Sequence, residues 1–255
     1  MSFSWHSQKM HTKEPFGISR GTYSEVTDLI VEIGDGIGEG APHKFFNDTL
    51  ETFIPDLDKV TRYFEDKDLF QIEELLKDID HMTHSKVVKC ALDMALYDHV
   101  GKQLGVPVYK LLGLSSDKTP QTSFTIGISD TDDMVRKALD AKDFPILKIK
   151  LGGKDDLNVM RRIRESLPNH VLRVDCNCGW TSENALPQID ALAELGVEFV
   201  EQPLPPDDIE GAKKIFAQSK LPIYLDESIC TTSDIPKVAP YCHGVNFKLV
   251  KTGGI

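Results

Sequence analysis

Six charged residues stand at or near the ends of successive apolar runs in the second half of the chain. Lys148 and Lys150 close Phe-Pro-Ile-Leu-Lys-Ile-Lys, Asp175 closes Val-Leu-Arg-Val-Asp, Glu201 closes Val-Glu-Phe-Val-Glu, Asp226 closes Pro-Ile-Tyr-Leu-Asp, and Lys248 lies in Val-Asn-Phe-Lys-Leu. The steps between them are about 22–26 residues, the length that a strand, a helix and two loops occupy in a βα repeat. A charge buried at one strand end is costly. A series of charges at equivalent strand ends makes sense when they converge on one site.

The residue types divide into two jobs. Lys148 and Lys150 are two apart on a strand, so their side chains share a face. Adjacent ammonium groups are expected to lower the pKa of at least one of them, and a lysine so tuned can serve as a general base. Asp175, Glu201 and Asp226 are three carboxylates at matching positions. A hard divalent cation relieves their repulsion, and an all-oxygen donor set favours Mg2+ over Zn2+. Lys248 is read as lying inside on the sixth strand, with Lys251 at the loop mouth or in solvent. A metal held by three carboxylates can chelate a substrate carboxylate and stabilise the enolate left when its α-proton departs. Lysines on opposite faces of that carbon permit removal on one side and return on the other, which is racemisation or epimerisation.

The elements that must position these groups show two textures. Ser24–Ile33 and Ile37–Glu39 read as strands about the turn Gly34-Asp35-Gly36. Helical spacing follows over Asp58–Phe64 and Leu69–Ile79, and most clearly over Ser85–Leu104, with Val88, Ala91, Leu92, Ala95, Leu96 and Val100 on one stripe and Gly105 at its end. From about Gln121 strands and helices alternate strictly, which implies a parallel sheet with ligands at the carboxyl ends of its strands. The fold class expected is α/β, an α+β domain over residues 1–115 and a (β/α)8-type, TIM-like barrel over 116–255. Six barrel strands are counted where a closed barrel needs eight, so the chain reads as the front part of a longer protein. A chain ending physically at Ile255 would be expected to be inactive.

Composition excludes several classes. A net charge of −11 argues against nucleic acid or an anionic membrane as partner. No apolar run is long enough to span a bilayer, and the polar start of the chain lacks a signal-peptide core. Five scattered cysteines, Cys90, Cys176, Cys178, Cys230 and Cys242, suggest neither a disulfide framework nor a zinc site. A cytoplasmic protein is expected. A non-catalytic doubly wound receiver would carry an acidic pair after its first strand, whereas Ile126-Gly127-Ile128 stands there. A dead scaffold is argued against by the presence of all six charges.

Lys148-Ile149-Lys150, Val174-Asp175-Cys176-Asn177, Val200-Glu201-Gln202-Pro203, Leu225-Asp226-Glu227-Ser228 and Asn246-Phe247-Lys248-Leu249-Val250-Lys251-Thr252-Gly253-Gly254 resemble, in order, the enolase superfamily, muconate-lactonizing subgroup. Ala91-Leu92-Asp93-Met94-Ala95-Leu96-Tyr97-Asp98 and Pro107-Val108-Tyr109-Lys110-Leu111-Leu112-Gly113 resemble the end of that family's capping domain. The resemblance implies one Mg2+ per active site on Asp175, Glu201 and Asp226, with Lys150 and Lys248 as acid–base catalysts and Lys148 assisting at the substrate carboxylate. Within the subgroup the chain is most similar to dipeptide epimerases of the L-Ala-D/L-Glu type. That implies an isomerase acting on a small dipeptide, with Arg20, in a loop Pro15–Thr22, pairing with an acidic side chain, and Thr125 contacting substrate. Asn177 and Glu227 would orient the metal ligands and Lys248 from behind. A homo-oligomer is expected. Muconate cycloisomerase, o-succinylbenzoate synthase and N-acylamino acid racemase use the same charges and stand as alternatives. The sequence departs from the family at its start, where the usual first strand of the capping domain is not evident in Met1–His11.

Overall fold

The structure, a computed structural model, describes residues 3–42 and 49–255. The described chain forms two compact units. Met1–His11, Glu25–Thr119 and Phe247–Ile255 make one, Thr12–Ser24 and Pro120–Asn246 the other.

A three-stranded sheet in the order β1-β2-β3 is built from β1 (Phe3–Ile18), β2 (Gly21–Ile33) and β3 (Gly36–Gly40). The long first strand corrects the expectation that none would be found there. Most of its side chains are exposed, so no buried stripe announces it, and cross-strand backbone pairing holds it. β2 and β3 pair antiparallel from Leu29 opposite Gly40 to Ile33 opposite Gly36. Helices α1 (Leu50–Tyr63), α2 (Ile72–Met82), α3 (Lys86–Leu104) and α4 (Val108–Leu111) follow. Helix α3 begins at an N-cap Ser85, whose Oγ accepts from the Val88 amide, and ends at Gly105 in the left-handed region at φ 65°. Its expected apolar stripe is buried throughout. The strand β3 lies against this helix so closely that a Cβ at Gly36 or Gly38 would fall about 2 Å from the carbonyl oxygens of Ala95 and Ala91, which explains the Gly-x-Gly-x-Gly pattern.

One buried group stands out on α3. Asp93 is 2% exposed, and burial pushes its carboxyl up to about 6, against a backbone hydrogen bond that opposes the rise. A carboxyl whose folded-state pKa exceeds its unfolded value contributes most stability below the unfolded pKa, and that contribution is lost as pH rises through the folded one. The window is therefore about pH 4 to 6. Asp93→Asn is expected to raise Tm by about 5 °C at pH 7.5, from at most ~3 kcal/mol, and to change it little at pH 4. Thermal unfolding of both proteins across that range is the check, and an unchanged pH dependence in the variant would contradict it.

The second unit alternates strand and helix. Its strands are β4 (Ser123–Ile126), β5 (Ile146–Lys150), β6 (Val171–Asp175), β7 (Val197–Glu201), β8 (Ile223–Leu225) and β9 (Gly244–Val245). They form one parallel sheet in chain order, β4-β5-β6-β7-β8-β9. Helices α5 (Thr131–Asp140), α6 (Asp156–Ser166), α7 (Ala185–Glu194), α8 (Ile209–Gln218) and the short α9 (Ile235–Val238) connect them. Leu147, Ile149, Leu172, Val174 and Val200 on the strands and Met160, Ile163, Ile189 and Ile215 on the helices form its core. This is the enolase-type arrangement anticipated, an antiparallel sheet with helices and a six-stranded parallel α/β sheet. A last short helix, α10 (Leu249–Thr252), belongs with the first unit. No helix among the described residues is long and apolar enough to cross a membrane.

Candidate active site

Parallel register places the charges in a row. Lys150 is opposite Asp175, and Asp175 is opposite Glu201. Glu201 pairs with Tyr224, so Asp226 follows directly on the end of β8. Side chains at paired positions of a parallel sheet point to one face, so three strands deliver their final residues to one place. Asp175, Glu201 and Asp226 are 0%, 4% and 1% exposed, and each offers an oxygen within 4.8 Å of the others.

The two lysines reach into this cluster. Lys148 Nζ donates to both Glu201 oxygens at 2.8 Å and lies 2.9 Å from Asp175 Oδ2. Lys150 Nζ donates to Asp175 Oδ2 and to Asn177 Oδ1, both at 2.7 Å. The expected lowering by a neighbouring ammonium is reversed at Lys148. Burial lowers its pKa, but the Asp175 and Glu201 carboxylates raise it by more, so it stays charged. Asp175 is held below the usual carboxylate range because Lys150 and Lys148 outweigh its burial, whereas burial and the Asp175 charge leave Glu201 above it.

Behind the acids lies a scaffold of side-chain to backbone bonds. Asn177 donates its backbone amide to Asp175 Oδ1 at 2.9 Å and its Nδ2 to Glu227 Oε1 at 3.0 Å. Its Oδ1 receives Lys150, so one asparagine joins the lysine to Glu227. Arg20 NH1 donates to the Asn177 carbonyl at 2.7 Å and to Glu227 Oε1 at 2.8 Å. Ser19 Oγ bonds the same carbonyl at 2.7 Å, which fastens the β1–β2 turn to the segment after β6; the Pro15–Thr22 stretch expected as a loop is mostly strand, with β1 running to Ile18 and β2 starting at Gly21. Glu227 Oε2 is buried with no hydrogen-bond partner. Thr125 lies in register with Lys148 and lines a cavity of about 320 Å³ with Phe16, Phe124 and Phe144, which the carboxylates do not share.

Two contributors were not singled out in the sequence. Gln202 accepts the Asp226 amide at 2.8 Å and the Ser228 amide at 3.2 Å on Oε1, so it sets the backbone that presents the third acid. Asn246 Nδ2 donates to Glu201 Oε1 at 2.8 Å. Both stand inside quoted motifs, but nothing in those letters signals a bond reaching across from one loop to the next. Asn177, Cys178 and Gln202 have φ of 43°, 66° and 37°, a costly conformation that clusters right after the strands that end in Asp175 and Glu201. Burial pushes the Cys176 thiol well up and Cys178 to about 12, so neither is an activated nucleophile.

Lys248 departs from its expected setting. The sixth strand stops at Val245, and Lys248 is the exposed residue that starts α10. Lys251 is 4% exposed, the reverse of the inside and outside assignment, because strand parity does not carry into a helix.

The acids fit a hard divalent ion in donor type, number and mutual reach, and Lys148 and Lys150 bring compensating positive charge. Residues 4–113 match the family described as mandelate racemase/muconate lactonizing enzyme, N-terminal domain, and residues 130–255 match enolase C-terminal domain-like proteins. An L-Ala-D/L-amino acid epimerase of Maribacter sp. is 35% identical across the whole chain, which spans 76% of that protein. A dipeptide epimerase of Enterococcus faecalis V583, solved with Mg and the dipeptide L-Leu-L-Tyr, superposes with a TM-score of 0.91 at 31% identity, covering 99% of this chain and 75% of that one. The substrate-liganded L-Ala-D/L-Glu epimerase of Bacillus subtilis gives a TM-score of 0.91 at 29% identity, covering all of this chain and 76% of that one. The chain belongs to the mandelate racemase/muconate lactonizing enzyme family of the enolase superfamily.

Proposed function

We propose that the protein is a Mg2+-dependent dipeptide epimerase that inverts the carbon α to the substrate carboxylate. The observation that carries this reading is the row of Lys150, Asp175 and Glu201 at paired strand positions, completed by Asp226. Asp175, Glu201 and Asp226 would hold the ion, which when bound supplies positive charge to a substrate carboxylate as its α-proton leaves. Lys150 takes or returns that proton at Nζ. Lys248 does the same for the opposite configuration, since inversion needs one group to remove the proton and another to return it. Lys148, kept charged by its two acids, adds a fixed cation at the forming negative charge. Asn177 Oδ1 accepts a hydrogen bond from Lys150 Nζ and helps fix where its proton is delivered. Residues 1–115 are the capping domain and 116–255 the catalytic domain in this reading.

The test is incubation with L-Ala-L-Glu and Mg2+ in D2O, followed by NMR. Deuterium at the glutamate Cα and appearance of the D-Glu epimer are expected. Turnover of muconate with no exchange in any dipeptide would overturn the assignment.

Arg20 and Thr125 are the proposed substrate contacts. Arg20 is already held by Glu227 and the Asn177 carbonyl, so its charge is delivered on a fixed mount rather than a swinging side chain. Arg20→Met is expected to cut kcat/KM for L-Ala-L-Glu by about tenfold, ~1.4 kcal/mol, and to affect L-Ala-L-Val much less. Equal losses on both dipeptides would remove the acidic-side-chain role. The odd number and scattered positions of the cysteines and the acidic composition support a cytoplasmic location, and we extend the reading to a homo-oligomer, for which sedimentation is the measurement.

A further inference from the structure

We propose that Asp93, on helix α3, is a positioning residue for Lys248. The inference rests on the acid–base role given to Lys248 above. A carboxylate 2% exposed in the middle of a helix whose neighbours Ala91, Leu92, Ala95 and Leu96 are core residues needs a compensating partner. Its hydrogen bond comes from the backbone amide of Ile255, which donates to Asp93 Oδ1 at 3.0 Å across 162 residues. Gly254 lies directly against the same carboxylate. A Cβ at that position would meet Asp93 Cγ at 2.4 Å, and its φ of 131° is one that L side chains rarely adopt.

From that anchor a continuous set of bonds runs back to Lys248. The amides of Gly253 and Gly254 both donate to the Leu249 carbonyl, at 2.8 and 2.9 Å. Thr252 Oγ1 donates to the Gly254 carbonyl at 2.7 Å. The amides of Lys251 and Thr252 donate to the Lys248 carbonyl, at 2.9 and 3.1 Å. Lys86, on the first turn of α3, donates to the Thr252 carbonyl at 3.3 Å, and Val250 packs on the core around α3. The backbone that carries Lys248 is thus tied to α3 at Lys86 and Asp93. Lys248 itself sits where the chain leaves a two-residue strand and enters a single helical turn, so the bonds to its backbone carbonyl run through that turn to α3. The strict need is for an acceptor oxygen at Asp93, not for a charge.

The test compares Asp93→Leu, Asp93→Asn and Gly254→Ala with the wild type and with Lys248→Ala. Two readouts are used: Cα deuterium exchange from each of the two dipeptide epimers with Mg2+, and backbone amide exchange of residues 249–255 by mass spectrometry. Asp93→Leu is expected to lose at least about tenfold in exchange for the one epimer that Lys248→Ala also silences, while the other epimer keeps its rate, because a displacement near 1 Å costs rates of that order or more. Asp93→Asn retains an acceptor and is expected to keep both rates and the amide protection. Gly254→Ala, which leaves Asp93 in place but crowds it, is expected to show the same one-sided loss should Asp93→Leu fail to fold. Equal losses for both epimers, or unchanged amide protection in Asp93→Leu and Gly254→Ala, would overturn the proposal. A wild type that exchanges neither epimer would overturn the epimerase reading instead, and the amide exchange would still decide whether Asp93 is the tether.

Discussion

Lys150→Ala is expected to lower epimerisation in both directions by about 10²- to 10⁴-fold, the usual contribution of a positioned acid–base group. Each direction needs one proton removed and another returned, so loss of either lysine stops both. Exchange into solvent behaves differently. The epimer whose α-proton Lys248 removes should still exchange with deuterium without inverting, while the other should not exchange at all. The fold should survive. Asp175 keeps Lys148 at 2.9 Å, so removing Lys150 does not leave that buried carboxylate without a cation. Asn177 Oδ1 loses its donor, which costs about 1–3 kcal/mol unless water replaces it. Proton NMR in D2O, alongside thermal unfolding, separates these effects. Epimerisation within twofold of wild type would remove Lys150 from the mechanism, and loss of exchange from both epimers with an intact fold would mean that the two lysines do not divide the work.

Much of this site was legible because its geometry is a property of parallel strands. The charges fall on residues that end consecutive strands, and a one-strand step keeps side chains on the same face, so Lys150, Asp175 and Glu201 could be aligned by counting. The stripe on α3 was legible for the same reason, since helical period and burial coincide there. Three features escaped. The first strand, Phe3–Ile18, is mostly exposed, so the hydrophobic alternation that betrays a strand is absent although its backbone pairs. The segment after Val245 turns helical at Leu249, and strand parity then assigned Lys248 and Lys251 to the wrong environments. The role of Gln202 depends on a left-handed backbone at φ 37° and on amides 24 and 26 residues away, which no local pattern encodes. Local periodicity thus revealed which residues meet, while cross-loop bonds, which decide how they are held, became visible only in three dimensions.

Asp226→Asn is expected to lose most of the stabilisation that Mg2+ gives the wild type. Three carboxylates whose oxygens come within 4.8 Å repel one another, and a divalent ion shared among them offsets that repulsion. Asp226 is 1% exposed, so its carboxylate faces this cluster and not bulk water. The substitution keeps the bond from the residue 226 backbone amide to Gln202 Oε1, which does not involve its side chain. With Mg2+ at a hundred times its Kd the wild type gains about 2.7 kcal/mol, or roughly 5–10 °C in Tm for a chain of this size. The variant has lost one of three anionic ligands and should gain little of this. Activity should fall by at least about 10³-fold, because an ion held weakly or in the wrong place no longer offsets the charge developing on the substrate carboxylate. Thermal unfolding with and without Mg2+ reads the loss without relying on turnover. An Mg2+-induced shift in Asp226→Asn as large as in the wild type would exclude Asp226 as a ligand.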